Sequence, residues 1–199
     1  MPLTGQSLST DGSKVSNADA PMTVGIVVDN SGSFRMILER VIKAATAIID
    51  DLRPDDESFL LTFVDTAKIR LRQEMTRDKA DLRDAAENMF VEGGPTAILD
   101  AIVYASKYSG KNASDGHTKI LVLITDGDDR ENAASVEDAV KTAKAAGIRI
   151  FVLGLHEEKF YSKTVDRLIR ETGGAKFVPK APKEAPAAVA DLLAAIRGN

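Results

Sequence analysis

Thr23-Val24-Gly25-Ile26-Val27-Val28-Asp29-Asn30-Ser31-Gly32-Ser33 is the stretch that decides the fold. Its apolar, β-branched run reads as a strand with Asp29 at its tip, and hydroxyls follow at every second position. A second run, Ile120-Leu121-Val122-Leu123-Ile124, ends in the same manner at Thr125-Asp126-Gly127. In an open α/β sheet the ligand crevice lies outside the carboxyl ends of the strands, where the strand order reverses. Two strand-end aspartates can therefore meet there.

Working outward, short β-rich runs alternate with segments of helical period from Thr23 onward, the pattern of an α/β fold with a mostly parallel sheet. A helix is predicted from about Met36 to Leu52, with Ile37, Val41, Ala44, Ala45, Ile48 and Leu52 on one face and a stop at Arg53-Pro54. Phe59 to Val64 and Ala67 to Glu74 read as strands joined by Asp65-Thr66, too short a link for a parallel crossover, so one strand runs antiparallel. Lys68, Arg70 and Arg72 alternate with Ala67, Ile69 and Leu71, and such charges protect an edge strand from pairing with another chain.

Helices follow at about Lys79 to Phe90 and Ala97 to Tyr108, then a polar loop from Gly110 to Thr118 and a strand from Lys119 to Thr125. A helix from about Ser135 to Ala146 closes at Gly147, placed for a left-handed cap. Beyond it come a strand from Arg149 to Leu155, a helix from about Lys163 to Thr172, a short strand from Ala175 to Val178 and a last helix near Glu184 to Ile196. Residues 1–20 read as a polar leader or linker, without the basic and apolar regions of a signal peptide. Residues 21–199 form one domain.

Composition narrows the chemistry. Of 199 residues none is cysteine and two, His117 and His156, are histidine, which excludes disulfides, thiolate nucleophiles and zinc–thiolate centres. A hard, oxygen-loving ion is what remains. The net charge of −4 gives no electrostatic drive toward DNA or anionic lipid. No run approaches the roughly 18 apolar residues of a membrane span, so nucleic acid and direct membrane insertion are not expected.

Asp29, Ser31 and Ser33 can point three oxygens toward one spot, and Gly32 allows the bend. Thr96, in Gly93-Gly94-Pro95-Thr96, and Asp126 complete five oxygen-bearing side chains. Magnesium takes six oxygens in near-octahedral array and keeps some waters, which suits Ser31, Ser33 and Thr96 as direct ligands with Asp29 and Asp126 acting mainly through water. Mn2+ or Ca2+ would also suit such oxygens. Neutral hydroxyls leave the ion electron-poor, so the sixth ligand is expected to be an Asp or Glu carboxylate from a protein partner.

The order and context of Asp29-x-Ser31-x-Ser33, Gly-x-Thr96 and Thr125-Asp126-Gly127 resemble the metal-ion-dependent adhesion site of von Willebrand factor A-type domains. The likeness extends to Asp56-Glu57-Ser58-Phe59-Leu60-Leu61-Thr62-Phe63, to Ala146 through Phe151 and to Glu171-Thr172-Gly173-Gly174. Leu52-Arg53-Pro54-Asp55-Asp56 and Thr96-Ala97-Ile98-Leu99-Asp100-Ala101-Ile102 are similar to bacterial exported members. The resemblance implies a Rossmann-like, doubly wound sheet of six strands with one antiparallel edge strand, helices on both faces, and protein binding without catalysis. It also implies a periplasmic or cell-surface parent. Phe34 stands where many members carry Met. Pro95 stands where the family usually has Gly, which restricts that loop and removes an N–H.

Other readings compete. Asp-x-Ser-x-Ser alone favours turns and helix caps. Asp128 and Asp129 read as a solvated loop ahead of a helix or as groups behind the metal ligands. His156 follows a strand on the same edge of the sheet as the proposed site, but no role at the rim is expected of it, and His117 reads as a surface residue at the opposite edge. A magnesium-dependent phosphoryl-transfer enzyme is one alternative function, although such enzymes need a second aspartate where Ser31 stands. A metal-independent scaffold is another.

Overall fold

The computed structural model describes residues 20–161 and 163–198, so the leader expected for residues 1–20 lies, Ala20 apart, outside them. Strand β1 (Met22–Asp29) forms the centre. It pairs in parallel with β2 (Glu57–Phe63) on one side and with β4 (Thr118–Thr125) on the other. β5 (Ile148–Gly154) and the two-residue β6 (Lys176–Phe177) continue beyond β4, also in parallel. β3 (Ile69–Thr76) pairs antiparallel with the outer side of β2 and forms the edge, giving the order β3-β2-β1-β4-β5-β6. The chain builds outward from β1 in one direction, then crosses to β4 and builds in the other. The strand order thus reverses between β1 and β4.

Among the described residues six α-helices cover the sheet. α1 (Leu38–Asp51), α2 (Lys79–Glu87) and α6 (Ala185–Gly198) bury one face, against Val24, Ile26, Val28, Ile120, Val122 and Ile124. α3 (Ile98–Asn112), α4 (Val136–Ala145) and α5 (Lys163–Thr172) bury the other, against Val27, Phe59, Leu61, Leu121, Leu123 and Val152. Gly25 lies in register between Phe59 and Leu121, and a Cβ there would stand 2.3 Å from Phe59 Cζ and 2.5 Å from Leu121 Cδ2. The phenylalanine ring fills that space and meets Tyr108 edge-on, with centroids 4.8 Å apart.

Three local differences from expectation have physical causes. The segment predicted as one helix from Met36 is a 3-10 turn (Gly32–Met36), then Ile37 at φ −120°, then α1. Burial of Phe34 beneath the loop pulls the chain inward there and leaves Met36 79% exposed. α3 runs through Gly110 to Asn112 rather than stopping at Tyr108, because the missing side chain lets it close on Ala146 at the end of α4; a Cβ would sit 3.3 Å from the Ala146 Cβ. The β2–β3 link is longer than two residues, closed by Lys68 N donating to Asp65 O and Val64 N to Lys68 O. The basic face of β3 is answered within the chain: Arg70 pairs with Glu92 at 3.3 Å, and the Arg72 guanidinium lies 5.0 Å from the Phe90 centroid.

The amino-terminal end of the sheet holds a buried polar knot. Glu57 Oε1 accepts from Thr23 Oγ1 at 2.7 Å and from Ser114 N at 2.6 Å, while Oε2 accepts from Ser114 Oγ at 2.7 Å. His117 is not a surface residue: its side chain is 6% exposed, with Nδ1 3.3 Å from Thr23 Oγ1 and 3.6 Å from Glu57 Oε1. It does lie at the end of the sheet away from the carboxyl-end crevice, as expected. Burial pushes the Glu57 carboxyl up, but the bonds from Ser114 and Thr23, with His117, outweigh it and hold the group below its ordinary value. Its contribution to stability is therefore present above the ordinary glutamate range and lost as pH falls through the lowered value. Glu57→Gln is expected to cost about 1–3 kcal/mol at neutral pH, since one amide hydrogen would face donors. Urea unfolding at pH 7 checks this, and unchanged stability would contradict it.

Candidate metal centre

β1 ends at Asp29, and the backbone stays tied to β2 by Asn30 N donating to Phe63 O at 2.8 Å. Asp29 Oδ1 accepts from Ser31 N at 2.9 Å, which turns the loop and aims the next hydroxyls outward. Oδ2 accepts from Thr125 Oγ1 at 2.8 Å, and that oxygen accepts from Gly127 N at 2.9 Å. The tips of β1 and β4 are thus linked across the point where the strand order reverses. Asp126, 6% exposed, accepts from Asp128 N at 3.0 Å through Oδ1. Its carbonyl receives Tyr161 N at 2.8 Å.

Ser31 Oγ and Ser33 Oγ stand 3.1 Å apart. Thr96 arrives from the far side on a loop in which Gly93 (φ 75°) and Gly94 (φ 132°) take conformations reserved for glycine. That loop is anchored by Gly93 N to Asn30 O at 3.3 Å and by Ala97 N to Val64 O at 3.0 Å. Pro95 does not displace Thr96: Ser31, Ser33, Pro95 and Thr96 line one open cleft of about 360 Å³ with Asp128, Arg130 and Glu131. Ser33, Asp126, Asp128 and Arg130 also line an adjoining cleft of about 300 Å³, closed by Glu157, Glu158, Lys159 and Tyr161. Asp29 sits behind Ser31, 1% exposed.

Burial above all, with the nearby Asp126 charge adding to it, pushes the Asp29 carboxyl up to about 7, against the lowering effect of its bonds from Ser31 and Thr125. A buried carboxylate beside a second one lacks a counter-charge, and a dication would supply it. The donor set fits such an ion. The Ser31–Ser33 separation is close to the edge of about 3.0 Å between adjacent oxygens of a magnesium octahedron. Among the described residues no three His, Cys, Asp or Glu side chains converge on one point, so an ion held here relies on hydroxyls.

The segment after Asp126 does work that the sequence did not disclose. α3 begins after Ala97, which has no capping side chain. Its first N–H groups are satisfied from across the crevice: Asp129 Oδ1 accepts from Ile98 N at 3.0 Å, and Asn132 Oδ1 from Leu99 N at 2.8 Å. Asp100 returns the contact, accepting from Ala133 N at 2.9 Å and Ala134 N at 2.7 Å. Asp129 is thus a cap for α3, not a solvated residue ahead of α4, whose own cap is Ser135 in a capping box with Asp138. An uncapped start at Ile98 was the available clue. His156 lines neither cleft; its Nδ1 is buried without a hydrogen-bond partner among the described residues, beside a small cavity of about 30 Å³.

A doubly wound α/β domain with a hydroxyl-rich crevice at its switch point is the class that fold and site define. The family model described as von Willebrand factor type A domain matches residues 23–185, and the chain belongs to that family. Over 109 residues it is 34% identical to the uncharacterized protein sll0103 of Synechocystis sp., a match covering 54% of this chain and 26% of that protein. Among solved structures, an aerotolerance-related membrane protein from Bacteroides fragilis superposes with a TM-score of 0.70 at 19% identity, over 86% of this chain and 98% of the other. The von Willebrand factor type A protein from Catenulispora acidiphila gives 0.76 at 18%, over 88% and 42%. Proximal thread matrix protein 1 of the mussel byssus, solved with a zinc-occupied MIDAS motif, gives 0.77 at 15%, over 90% and 48%. These structures share the fold. No helix among the described residues is long and apolar enough to cross a membrane.

Proposed function

We propose that this domain is a metal-dependent protein-binding module, holding Mg2+ through Ser31, Ser33 and Thr96, with Asp29 and Asp126 acting through water. The observation that carries the reading is the meeting of three hydroxyls from two separate loops on one open cleft, with two buried carboxylates behind them. The ion supplies a Lewis-acidic position for an outside carboxylate. Asp29 orients the loop through Ser31 N, Thr125 ties Asp29 to β4, and the Asp126 carbonyl fixes the wall at Tyr161. The zinc in the mussel protein's motif supports a divalent ion at this end of the fold.

Two alternatives find less support. For phosphoryl transfer, Ser31 occupies the place of the second aspartate, and Arg130, which lines both clefts, is held by Asp128 at 2.7 Å. A metal-independent scaffold would leave the hydroxyl convergence without a role. Calorimetric titration of metal-stripped protein with Mg2+ and Mn2+ is expected to give one-to-one binding, weakened about tenfold or more by Thr96→Ala, since one missing ligand costs on the order of 1.4 kcal/mol or more. Folded wild-type protein that gives neither heat nor a Tm shift with either ion would sink the reading.

A further inference from the structure

The second cleft carries features that a metal-bound carboxylate does not use. Beside Ser33 and Asp126 it presents Asp128, Glu157 and Glu158 against Arg130 and Lys159, with Tyr161 as its aromatic wall. Most of these charges already have partners. Arg130 is bound to Asp128, and Glu157 receives Arg40 Nη2 at 2.5 Å. Glu158 has no hydrogen-bond or ion-pair partner among the described residues.

Tyr161 is 41% exposed, and its ring is not bare: Lys159 Nζ lies 4.7 Å from the centroid. A cation held on an exposed ring, next to an unpaired carboxylate, marks the chemistry that this wall favours. Charge points the same way. Of the four cleft carboxylates, Asp128 is held by Arg130 and Glu157 by Arg40, while Asp126 faces the proposed ion, which leaves Glu158 to answer an outside cation.

We propose that this cleft is a subsite for a basic side chain of the protein partner, close in sequence to the acidic residue that caps the metal. The partner's Arg or Lys takes the place of Lys159 on the Tyr161 ring and pairs with Glu158. The recognised motif is therefore an acidic residue with a basic neighbour, not an isolated carboxylate. Glu157 contributes less, because Arg40 holds it. This inference rests on the metal-bridged reading above.

The test uses the whole chain, 15N-labelled and loaded with Mg2+, titrated with short blocked peptides. Each peptide carries one aspartate followed after one, two or three glycines by arginine or by norleucine. At the best spacing the arginine peptide is expected to bind about threefold more tightly, the size of one exposed ion pair, because the new cation–π contact replaces the one that Lys159 gives up. Glu158→Gln should bring the ratio near one while leaving the norleucine peptide's affinity alone, and Tyr161→Leu should lower the ratio toward one. Lys159→Met, which removes the internal competitor, should raise the ratio, an effect that a purely structural role would not produce. Metal-dependent binding with equal affinities at every spacing, or a preference that survives both variants, would overturn the subsite and leave the metal reading standing. Binding indifferent to EDTA, or no binding of any peptide, would overturn both.

Discussion

Gly127→Ala is expected to lower the unfolding free energy by about 3 kcal/mol or more and to remove Mg2+ binding, whereas Gly32→Ala, in the facing loop, should change either by little. Gly127 has φ 78°, and a Cβ built on it lies 2.0 Å from the Tyr161 carbonyl oxygen. The left-handed conformation alone costs a non-glycine residue roughly 1–2 kcal/mol, and overpacking against neighbours adds about 1–3 kcal/mol. Relief requires the 160–161 segment to retreat, which breaks the Tyr161 N bond to the Asp126 carbonyl. Gly127 N also anchors Thr125 Oγ1, the group that holds Asp29. One methyl group therefore disturbs both strand tips. At Gly32 the φ is not positive, and nothing lies within 4 Å of the added atom. Urea unfolding and Mg2+ calorimetry on the two variants make the comparison, and equal losses would show that loop packing does not position the ion ligands.

The legible parts of this protein are those in which local sequence and global fold agree. The runs before Asp29 and Asp126 could only be strands. A link of a few residues around Asp65-Thr66 could only be a hairpin, so the one antiparallel pair was readable, as was Gly147 as a left-handed cap, observed at φ 70°. What was not legible depends on contacts distant in sequence. Asp129 and Asn132 cap α3 from more than thirty residues away, in the manner of no sequence motif. His117 looks polar and exposed in its loop, but Glu57 and Thr23 draw it inward. Gly110 ends a helix by propensity and continues one by packing against Ala146. The candidate site residues stood out in the sequence because each stands at or just after a strand end or on a glycine loop. The second cleft was not, because Tyr161 and Glu158 fall in a segment with no periodicity.

Asp29→Asn is expected to abolish Mg2+ binding and yet to make the metal-free protein more stable than wild type above pH 7. The Asp29 carboxyl is raised from 3.8 to about 7, mainly by burial and further by Asp126. Below the ordinary value both folded and unfolded chains carry the proton, and the stabilisation from keeping it is complete. As pH rises, the unfolded chain loses the proton first, so stability falls by about 1.4 kcal/mol per pH unit until the folded value is reached. The total is on the order of 4 kcal/mol, and above it the loss stays constant. An asparagine imitates the protonated acid: it accepts from Ser31 N and donates to Thr125 Oγ1, leaving the threonine proton without its acceptor at a cost of about 1 kcal/mol. Glu57 and Asp100, whose carboxyls are lowered, titrate in the opposite sense but equally in both proteins. The difference between the two stability profiles in EDTA therefore reports the charge at position 29 together with its repulsion from Asp126. Mg2+ should restore wild type at pH 8, because the ion replaces the proton as counter-charge, and should leave Asp29→Asn unmoved. Parallel profiles, or a variant less stable than metal-free wild type at pH 8, would mean that the buried carboxylate is held by the fold itself and not kept in readiness for a cation.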